Sequence, residues 1–279
     1  MMISLARGQP KVVLDLLQRQ EAIDMNLSTL FRILKKNARL SRRQACRLGG
    51  VLGFILFGLA PFRARYASAG IRRIFKKGEF MNLPVPMLDG DVSLEKAVKE
   101  RRTVRSFSDK PLVVAQLSQI LWAAQGITDD TGLKRAAPSG GALYPIDVYA
   151  VVGKNSVREL AQGVYRYNPL HHSIDKILDT DVRKDVAAAS LRQMWMGTAP
   201  VILVLTAEYS RITVKYGERG KRYATIEVGH IGQNVFLQCE VLGLSAGIVG
   251  AFHDAQVAKA VNTQENHEPL VIMPVGWKA

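Results

Sequence analysis

The 279-residue sequence predicts a domain of mixed helices and strands, of the α/β or α+β class, over residues 93–279. Two observations support this prediction. From residue 93 onward, amphipathic helical patterns alternate with four or five short apolar runs typical of strands. In addition, 48% of all residues are hydrophobic, which is enough to fill the core of a domain this long.

The first part of the domain is predicted to begin with two helices. Residues 93–107 start with Ser93, a good N-cap residue, and residues 112–126 carry apolar side chains at helical spacing up to Gly126, a typical helix end. After a turn rich in proline and glycine, residues 146–153 predict a strand. Residues 163–178 resemble a short hairpin.

The second part alternates in the same way. Residues 181–199 have a helical pattern, and residues 200–209 form a continuous apolar run typical of a buried strand. A long helix is predicted over residues 222–244. A glycine-bounded strand (245–252), a short helix (254–261) and a last strand (269–276) complete the chain.

The N-terminal 69 residues have the three parts of an export signal in the usual order. Ser41–Arg43 contains a twin-arginine pair, residues 48–62 carry no charge, and Ala67–Ala69 is a small-x-small cleavage site before Gly70. The uncharged stretch has 15 residues, whereas a membrane-spanning helix needs about 20. We therefore expect residues 1–69 to be an extension with a twin-arginine-like signal.

Such a signal implies a periplasmic or other extracytoplasmic location after export. Two alternatives remain: an uncleaved anchor in the inner membrane, and a buried hairpin helix that belongs to the globular domain. Residues 70–92 contain Pro84 and Pro86 and are predicted to be an exposed linker between the extension and the domain at 93–279.

The net charge of +14 does not predict a nucleic-acid-binding protein, because the excess is concentrated in the N-terminal extension. Residues 1–69 carry +9, and residues 70–279 carry only +5. The second part shows no basic stripe with interspersed aromatic residues.

The two cysteines, Cys46 and Cys239, exclude a disulfide framework, a cysteine-based zinc site and a CxxC redox pair. Cys239 is predicted to be a small core residue. His171 and His172 are adjacent, so their side chains diverge, and no metal centre is predicted. The standard phosphate-loop, dinucleotide, zinc-protease and nucleophile-elbow motifs are also missing from the sequence.

Three segments together suggest a site for a planar cofactor with a phosphate. Arg101, Arg102 and Arg105 surround Thr103, and guanidinium groups bind phosphate oxygens well. Residues 138–145 and 247–252 have little side-chain bulk, which lets a flat ring approach the backbone. Taken singly, the arginines are also compatible with a solvated helix end, and the glycines with a tight turn.

Several motifs make the sequence similar to the nitroreductase superfamily, and most of all to its SagB-type dehydrogenase branch, which includes azoline oxidases of thiazole/oxazole peptide biosynthesis. The resemblance covers residues 94–279. The motifs are RRTVRSF, RAAPSGGALYPIDVYAVV, VYRY, KYGERGKRYATIEVGHIGQNVFLQCEVLGL, VGAF and a terminal PVG.

The resemblance implies an α+β fold in which helices flank a central, mainly antiparallel sheet. It also implies a homodimer with two flavin mononucleotide (FMN) sites at the subunit interface. Residues implied to bind the FMN phosphate and ribityl chain are Arg101, Arg102, Thr103, Arg105 and Lys278. Those implied to border the ring are Pro138, Ser139, Gly140 and Gly141, with the backbone of Val249 and Gly250 near the hydride-accepting nitrogen.

Lys215 and Tyr216 resemble the acid/base pair of the azoline oxidases, and such groups can move protons if burial shifts their pKa values. The alternative is that they only support the next helix. On that helix, Glu227, His230, Gln233 and Asn234 interrupt the apolar pattern. Gln233 and Asn234 are candidates for contact with the ring or the dimer interface, or for membership of a buried polar network.

The sequence thus predicts an exported FMN-dependent oxidoreductase that transfers electrons in two steps between a donor and a small-molecule or peptide substrate. The first alternative is an azoline-oxidising peptide dehydrogenase. The second is a membrane-associated, non-catalytic flavin-binding module.

Overall fold

A computed structural model describes residues 80–279, which fold around a seven-stranded sheet. The predicted extension and export signal at residues 1–69 lie outside the described residues. The strand order is β1-β6-β5-β3-β7-β9-β8, and every neighbouring pair is antiparallel. The strands are β1 (Phe80–Asn82), β3 (Ile146–Val152), β5 (Gly163–Asn168), β6 (Ser173–Leu178), β7 (Val201–Ala207), β8 (Ser245–Ala246) and β9 (Glu268–Gly276).

Six helices accompany the sheet in residues 80–279. They are α1 (Leu94–Glu100), α2 (Val114–Gln125), α3 (Arg183–Ala189), α4 (Ser210–Tyr216), α5 (Arg219–Val241) and α6 (Asp254–Val261). Single 3-10 turns occur at Gly140–Ala142 and Met194–Thr198, and β2 (Leu112–Val113) pairs in parallel with β4 (Val157–Arg158). The helices and the antiparallel sheet confirm the predicted α+β class.

The core has two layers, one on each face of the sheet. On one face, Leu203 and its neighbours pack against Leu117 of α2 and Ile231 of α5. On the other face, Ile202 packs with Val186 of α3 and Val257 of α6. Because both faces of β7 are covered, all seven of its residues are buried, which explains its continuous apolar sequence in an antiparallel sheet.

Several predicted elements agree closely with the structure. Ser93 caps α1 by accepting a hydrogen bond from the Lys96 amide (3.2 Å), and α2 ends before Gly126. The hairpin of β5 and β6, the buried strand β7, the long helix α5 and the short helix α6 are all present.

Three predictions need correction. The described part of the predicted linker at 70–92 is not simply exposed, since Phe80–Asn82 pair with β6 and Leu83 is buried. The single helix predicted at 181–199 is two pieces, separated where Leu191 and Arg192 adopt φ values of 52° and 58°. The strand predicted at 245–252 is only the two-residue β8, followed by an isolated bridge at Val249.

Candidate functional site

The loop that precedes β3 contains small side chains, and several of its residues have left-handed backbone conformations. Gly141 has a φ of 66°, and Ala142 and Tyr144 have φ values of 55° and 46°. Residues other than glycine adopt such positive φ values only at a cost in conformational energy. The Ser139 hydroxyl closes the loop by accepting a hydrogen bond from the Tyr144 amide at 2.9 Å. Residues 138–144 therefore form a fixed, low-bulk surface.

The structure brings Lys215 and Tyr216 to this loop. A Cβ atom added at Gly141 would lie 2.6 Å from the Tyr216 hydroxyl and 3.1 Å from the Lys215 amine. At Gly140 an added Cβ would lie 3.3 Å from the Cβ of Tyr223 on α5. The two sets of residues, predicted separately from the sequence, thus share one site, and glycine is required where they meet.

The proton-carrying groups beside the loop are accessible to a ligand. Lys215 is exposed and Tyr216 is half-buried, so in the single chain Lys215 lacks the burial on which its predicted proton transfer depends. The Lys215 amine lies 5.2 Å from the centre of the Tyr216 ring, and the Tyr216 and Tyr223 rings meet edge to face at 5.1 Å. An amine and a phenol placed together in this way can bind and protonate or deprotonate a molecule lying against Gly140 and Gly141.

Helix α4, which carries Lys215 and Tyr216, is held to the sheet by Arg211. The Arg211 guanidinium lies 2.7 Å from a carboxylate oxygen of Asp147 on β3 and 2.6 Å from one of Glu208 after β7. It also donates a 3.2 Å hydrogen bond to the carbonyl of Tyr144 in the loop. One side chain therefore ties together the helix, the first residues of the central strand β3 and the low-bulk loop.

His267 is buried behind this cluster. Its Nδ1 and Nε2 atoms lie 3.6 Å from Asp147 and from Glu208, and the Tyr149 hydroxyl is 3.2 Å from Nδ1. Burial lowers the pKa of His267, and the two carboxylates offset only part of that effect. Burial tends to raise the pKa of Glu208, but the hydrogen bonds from Ser210 and Arg211 outweigh this effect and lower the pKa.

The sequence analysis did not identify this cluster, because its members are far apart in the chain and share no motif. One ligand-type atom from each of Asp147, Glu208 and His267 lies within 4.8 Å of the others, which is a spacing suitable for a metal ion. The position between the two carboxylates is taken by the Arg211 guanidinium, so the arrangement is that of an ion pair.

A cavity of about 250 Å³ opens between the loop and helix α5. Residues Pro138–Gly140 line one side, and Tyr223, Ile226, Glu227 and His230 line the other. Of the residues predicted to border a planar ring, Pro138, Ser139 and Gly140 line this cavity, whereas Gly141, Val249 and Gly250 are not among its lining residues.

Glu227 is a buried acid in the wall of this cavity. Glu227 is only 1% exposed, and the side-chain amide of Gln125 donates a hydrogen bond to its Oε1 atom at 3.0 Å. Its Oε2 atom is buried without a hydrogen bond from the described residues. Burial raises the pKa of Glu227, and neighbouring Ser139, Gln125, Arg135 and His230 offset part of this shift.

The other polar residues of α5 have distinct surroundings. Asn234 donates to the carbonyls of Ala123 and Ala136 at 3.1 Å each, so it belongs to a structural network that holds the loop to α5. His230 lies 3.3 Å from the Pro138 carbonyl through Nδ1. Gln233 is exposed.

The three predicted phosphate-binding arginines follow α1 and differ in their contacts. Arg101 lies 5.1 Å over the ring of Phe236 on α5. Arg102 caps the end of α1 by donating to the carbonyls of Lys99 and Arg101 at 2.8 Å. Arg105 is exposed, and Thr103 is half-buried opposite Ala246.

The C-terminal residues return to this arginine segment. The Ala279 amide donates to the Ser106 carbonyl, the Ser108 amide donates to the Trp277 carbonyl, and Lys278 is bridge-paired with Phe107. The backbone of Lys278 is thereby held beside Phe107, in the segment that follows Arg105.

The backbone groups of Val249 are already engaged. Its N–H donates to the Ile272 carbonyl at 2.9 Å, and its carbonyl accepts from the Ile272 amide at 3.0 Å. The predicted role of the Val249 N–H toward a ring nitrogen is incompatible with this pairing. Gly250 is exposed, and a Cβ added there would meet open space, so the backbone of Gly250 is open to a ligand.

Helix α5 connects the three predicted segments. Tyr223 contacts Gly140, Gly232 lies against Ile248, and Phe236 lies under Arg101. From Tyr223 to Phe236 the helix rises about 20 Å. The low-bulk loop, the second glycine segment and the arginines are therefore arranged along one helix.

Within residues 80–279, no helix combines the length and the apolar composition needed to cross a membrane.

Comparison with known proteins gives consistent results. The profile described as the nitroreductase family matches residues 98–277. A protein from Methanocaldococcus jannaschii, named as nitroreductase MJ1384, is 42% identical over 201 residues, which is 72% of this chain and 98% of that relative. The microcin B17-processing protein McbC of Escherichia coli is 28% identical over 61% of this chain and 65% of its own length. The trifolitoxin-processing protein TfxB of Rhizobium leguminosarum is 32% identical over 40% of this chain and 31% of its own.

Solved structures support the fold. A nitroreductase from Ralstonia eutropha superposes with a TM-score of 0.62 at 27% identity, covering 76% of this chain and 98% of that one. The microcin synthetase McbBCD complex of E. coli, solved with truncated pro-MccB17 bound, contains a chain with a TM-score of 0.56 at 20% identity, covering 94% and 85% of the two chains.

Proposed function

The chain belongs to the nitroreductase family, in its SagB-like branch, and from this premise we propose that it is an FMN-dependent oxidoreductase. The observation that carries the proposal is the meeting of the low-bulk loop with Lys215 and Tyr216 at Gly141. An open surface for a flat ring and a pair of proton-carrying groups then lie side by side. FMN, when bound, would supply reversible two-electron transfer.

The residues present fit a flavin. The cavity beside Pro138–Gly140 has a wall without bulky side chains and a buried oxygen, Oε2 of Glu227, without a hydrogen bond from the described residues. Arg105 is exposed near the backbone of Lys278, where a phosphate could be bound by two cations. We assign the ring to the loop residues and Gly250, and the phosphate and ribityl chain to Arg101, Arg102, Thr103, Arg105 and Lys278.

In this proposal, the protein residues bind, orient and exchange protons. Pro138, Ser139, Gly140 and Gly141 present backbone to one side of the ring. Arg211 fixes α4 so that Lys215 and Tyr216 stay against Gly141. Tyr216 and Lys215 are the groups we propose for giving a proton to, or taking one from, the substrate.

Anaerobic reduction of the purified full chain tests the proposal. We expect a flavin spectrum that bleaches on addition of NADH or NADPH, or of a quinol or a reduced redox protein if one of these is the physiological donor. A flavin that is retained but that none of these donors reduces would contradict the enzyme proposal. That result would favour the non-catalytic binding module instead.

A second candidate is an azoline-oxidising peptide dehydrogenase. The similarity to McbC and TfxB and the Lys215–Tyr216 pair favour this reading. Its test is incubation with a peptide that carries a thiazoline or oxazoline ring, in which the enzyme would remove two hydrogens per ring. Mass spectrometry would report the loss, and Lys215→Ala and Tyr216→Phe would each prevent it.

We also propose a homodimer with shared sites. Ile226 beside the cavity and Ile248 beside Gly232 leave apolar surface exposed, at 48% and 38%, which supports a partner at this face. Light scattering should give twice the chain mass, and Ile226→Asp should reduce it to the mass of one chain and release flavin. A wild-type monomer with full flavin content would contradict this proposal.

Export to the periplasm remains a proposal that depends on residues 1–69. Fusing these residues to a reporter that is active only after twin-arginine export would give activity, and Arg42→Lys with Arg43→Lys would abolish it. A reporter that stays with the inner membrane would indicate the anchor instead.

A further inference from the structure

The cavity between the loop and α5 contains an acid that the assigned roles do not use. Glu227 lies in the wall of the cavity, and its side chain is buried. Lys215 and Tyr216 account for proton exchange beside Gly141, and the arginines account for a phosphate. Neither explains a buried carboxyl group facing the loop.

The two oxygens of Glu227 have different surroundings. Oε1 accepts a hydrogen bond from the Gln125 amide at 3.0 Å, while Oε2 has no partner among the described residues. A buried carboxylate with an unpaired oxygen is costly, whereas a neutral carboxylic acid has one accepting oxygen and one O–H donor. In the neutral form, Oε1 would remain the acceptor of the Gln125 bond and Oε2 would carry an O–H donor.

The charged neighbours do not convert this acid into an ion pair. Arg135, on the segment before the loop, uses Nη1 to donate to the Gln125 oxygen at 3.3 Å rather than to Glu227. Its guanidinium also stacks 4.2 Å from the centre of the Tyr144 ring. His230 from α5 itself and the Ser139 hydroxyl from the loop are also neighbours of Glu227, and Tyr223 of α5 lines the same cavity. Burial outweighs all four neighbours and raises the pKa of Glu227.

We propose that neutral Glu227 is the polar anchor of this cavity and donates a hydrogen bond from Oε2 to a carbonyl oxygen of the planar heterocycle that binds against Pro138–Gly140. This inference rests on the proposed function, in which that heterocycle is the flavin ring. It adds a residue that recognises an edge of the ring, whereas the loop provides only a surface for its face.

The test uses lumiflavin, which has the ring but neither the ribityl chain nor the phosphate, so that the arginines do not affect the result. Affinity for the full-length wild-type protein, measured by fluorescence quenching from pH 5 to 9, should fall as pH rises, because binding requires the protonated acid. In Glu227→Gln the side-chain amide keeps a donor, so the affinity should stay close to the wild-type value at low pH and become independent of pH.

Two further variants separate the causes. Glu227→Leu removes the donor while filling the space, and should weaken lumiflavin binding about three- to tenfold at low pH. His230→Ala removes the histidine of the cavity wall and should retain the pH dependence. An affinity of Glu227→Leu equal to that of the wild type, or a pH dependence that disappears in His230→Ala but not in Glu227→Gln, would overturn the inference. An affinity that rises with pH would show that Glu227 instead accepts a bond as a carboxylate.

A second readout does not require flavin. In ligand-free protein, the infrared difference between wild type and Glu227→Gln should contain the C=O band of a protonated carboxyl group at pH values above the ordinary range of glutamate. Absence of that band would overturn the inference even if flavin binds. If the band is present but the wild type binds neither lumiflavin nor FMN, the proposed flavin function fails and the neutral acid stands.

Discussion

At the scale of single residues, Gly141 shows most directly how sequence leads to chemistry. Its φ of 66° belongs to the left-handed region, and an added Cβ would collide with the Tyr216 hydroxyl. Glycine is therefore needed both for the backbone conformation and for the contact. This position fixes how close the proposed proton-carrying side chains come to the loop.

Gly141→Ala should reduce turnover strongly, by about tenfold or more, because the new methyl group displaces Tyr216 and Lys215. Gly243→Ala is the control, since Gly243 also has a positive φ, 68°, but has nothing within 4 Å of an added Cβ. Both variants should lose about 1 kcal/mol of stability. Steady-state kinetics and thermal melts would distinguish the two effects, and equal kinetic losses in both variants would argue against the role of the contact.

Arg105 provides a second prediction at this scale. It is exposed, whereas Arg102 is engaged in capping α1. Arg105→Ala should weaken FMN binding about tenfold without loss of stability, because a charge-assisted bond to phosphate contributes about 1.5 kcal/mol. Riboflavin, which lacks the phosphate, should bind equally well to both proteins. A parallel loss for FMN and riboflavin would remove the phosphate assignment.

At the scale of elements, a helix or strand was predicted correctly where its sequence pattern lies within one segment of the chain. Helices α2, α5 and α6 and strand β7 were predicted because their patterns lie within single segments. The segment 181–199 was predicted as one helix because no proline or glycine marks the left-handed residues Leu191 and Arg192. Strand β1 was missed because its three residues form a strand only through pairing with β6.

The candidate site divides in the same way. The loop, the arginines and the Lys215–Tyr216 pair are motifs that sequence can reveal. The cluster of Arg211, Asp147, Glu208 and His267 joins residues of β3, α4 and the segments that flank β7 and β9. Only the folded chain brings these residues together.

Arg211 gives a prediction about element α4. Arg211→Met should destabilise the protein by about 2 to 3 kcal/mol, because it leaves Asp147 and Glu208 close together without their cation. It should also lower turnover by releasing α4 from the Tyr144 carbonyl. Lys221→Ala is the control, since its ion pair with Glu218 is exposed and should contribute little to stability. Urea unfolding of both variants would measure the two losses of stability. Similar losses would contradict the proposal that Arg211 holds α4 to the sheet and the loop.

At the scale of the whole molecule, the fold places a buried, neutral-favouring histidine inside a cluster of charges. Burial lowers the pKa of His267 below its usual 6.5, and also that of His172, which is bonded to Ser118 and Tyr167. The unfolded chain therefore binds more protons than the folded one below pH 6.5. The stability that the two neutral histidines contribute is therefore fully present above about pH 6.5 and is lost as the pH falls below it.

The free energy of unfolding should accordingly decrease between pH 7 and pH 5, with a slope of up to about 1.4 kcal/mol per pH unit for each histidine, and the melting temperature should fall with it. His267→Gln should make this dependence shallower, and His172→Gln should do so independently. Calorimetry across this range is the measurement. A dependence unchanged in both variants would show that other groups control acid stability.

The flavin content of the purified full chain decides whether this protein binds FMN. After expression with added riboflavin, or after incubation with FMN and removal of the excess, the account predicts a yellow protein with one FMN per chain. A colourless protein that takes up no FMN, although circular dichroism shows it to be folded, would contradict the account.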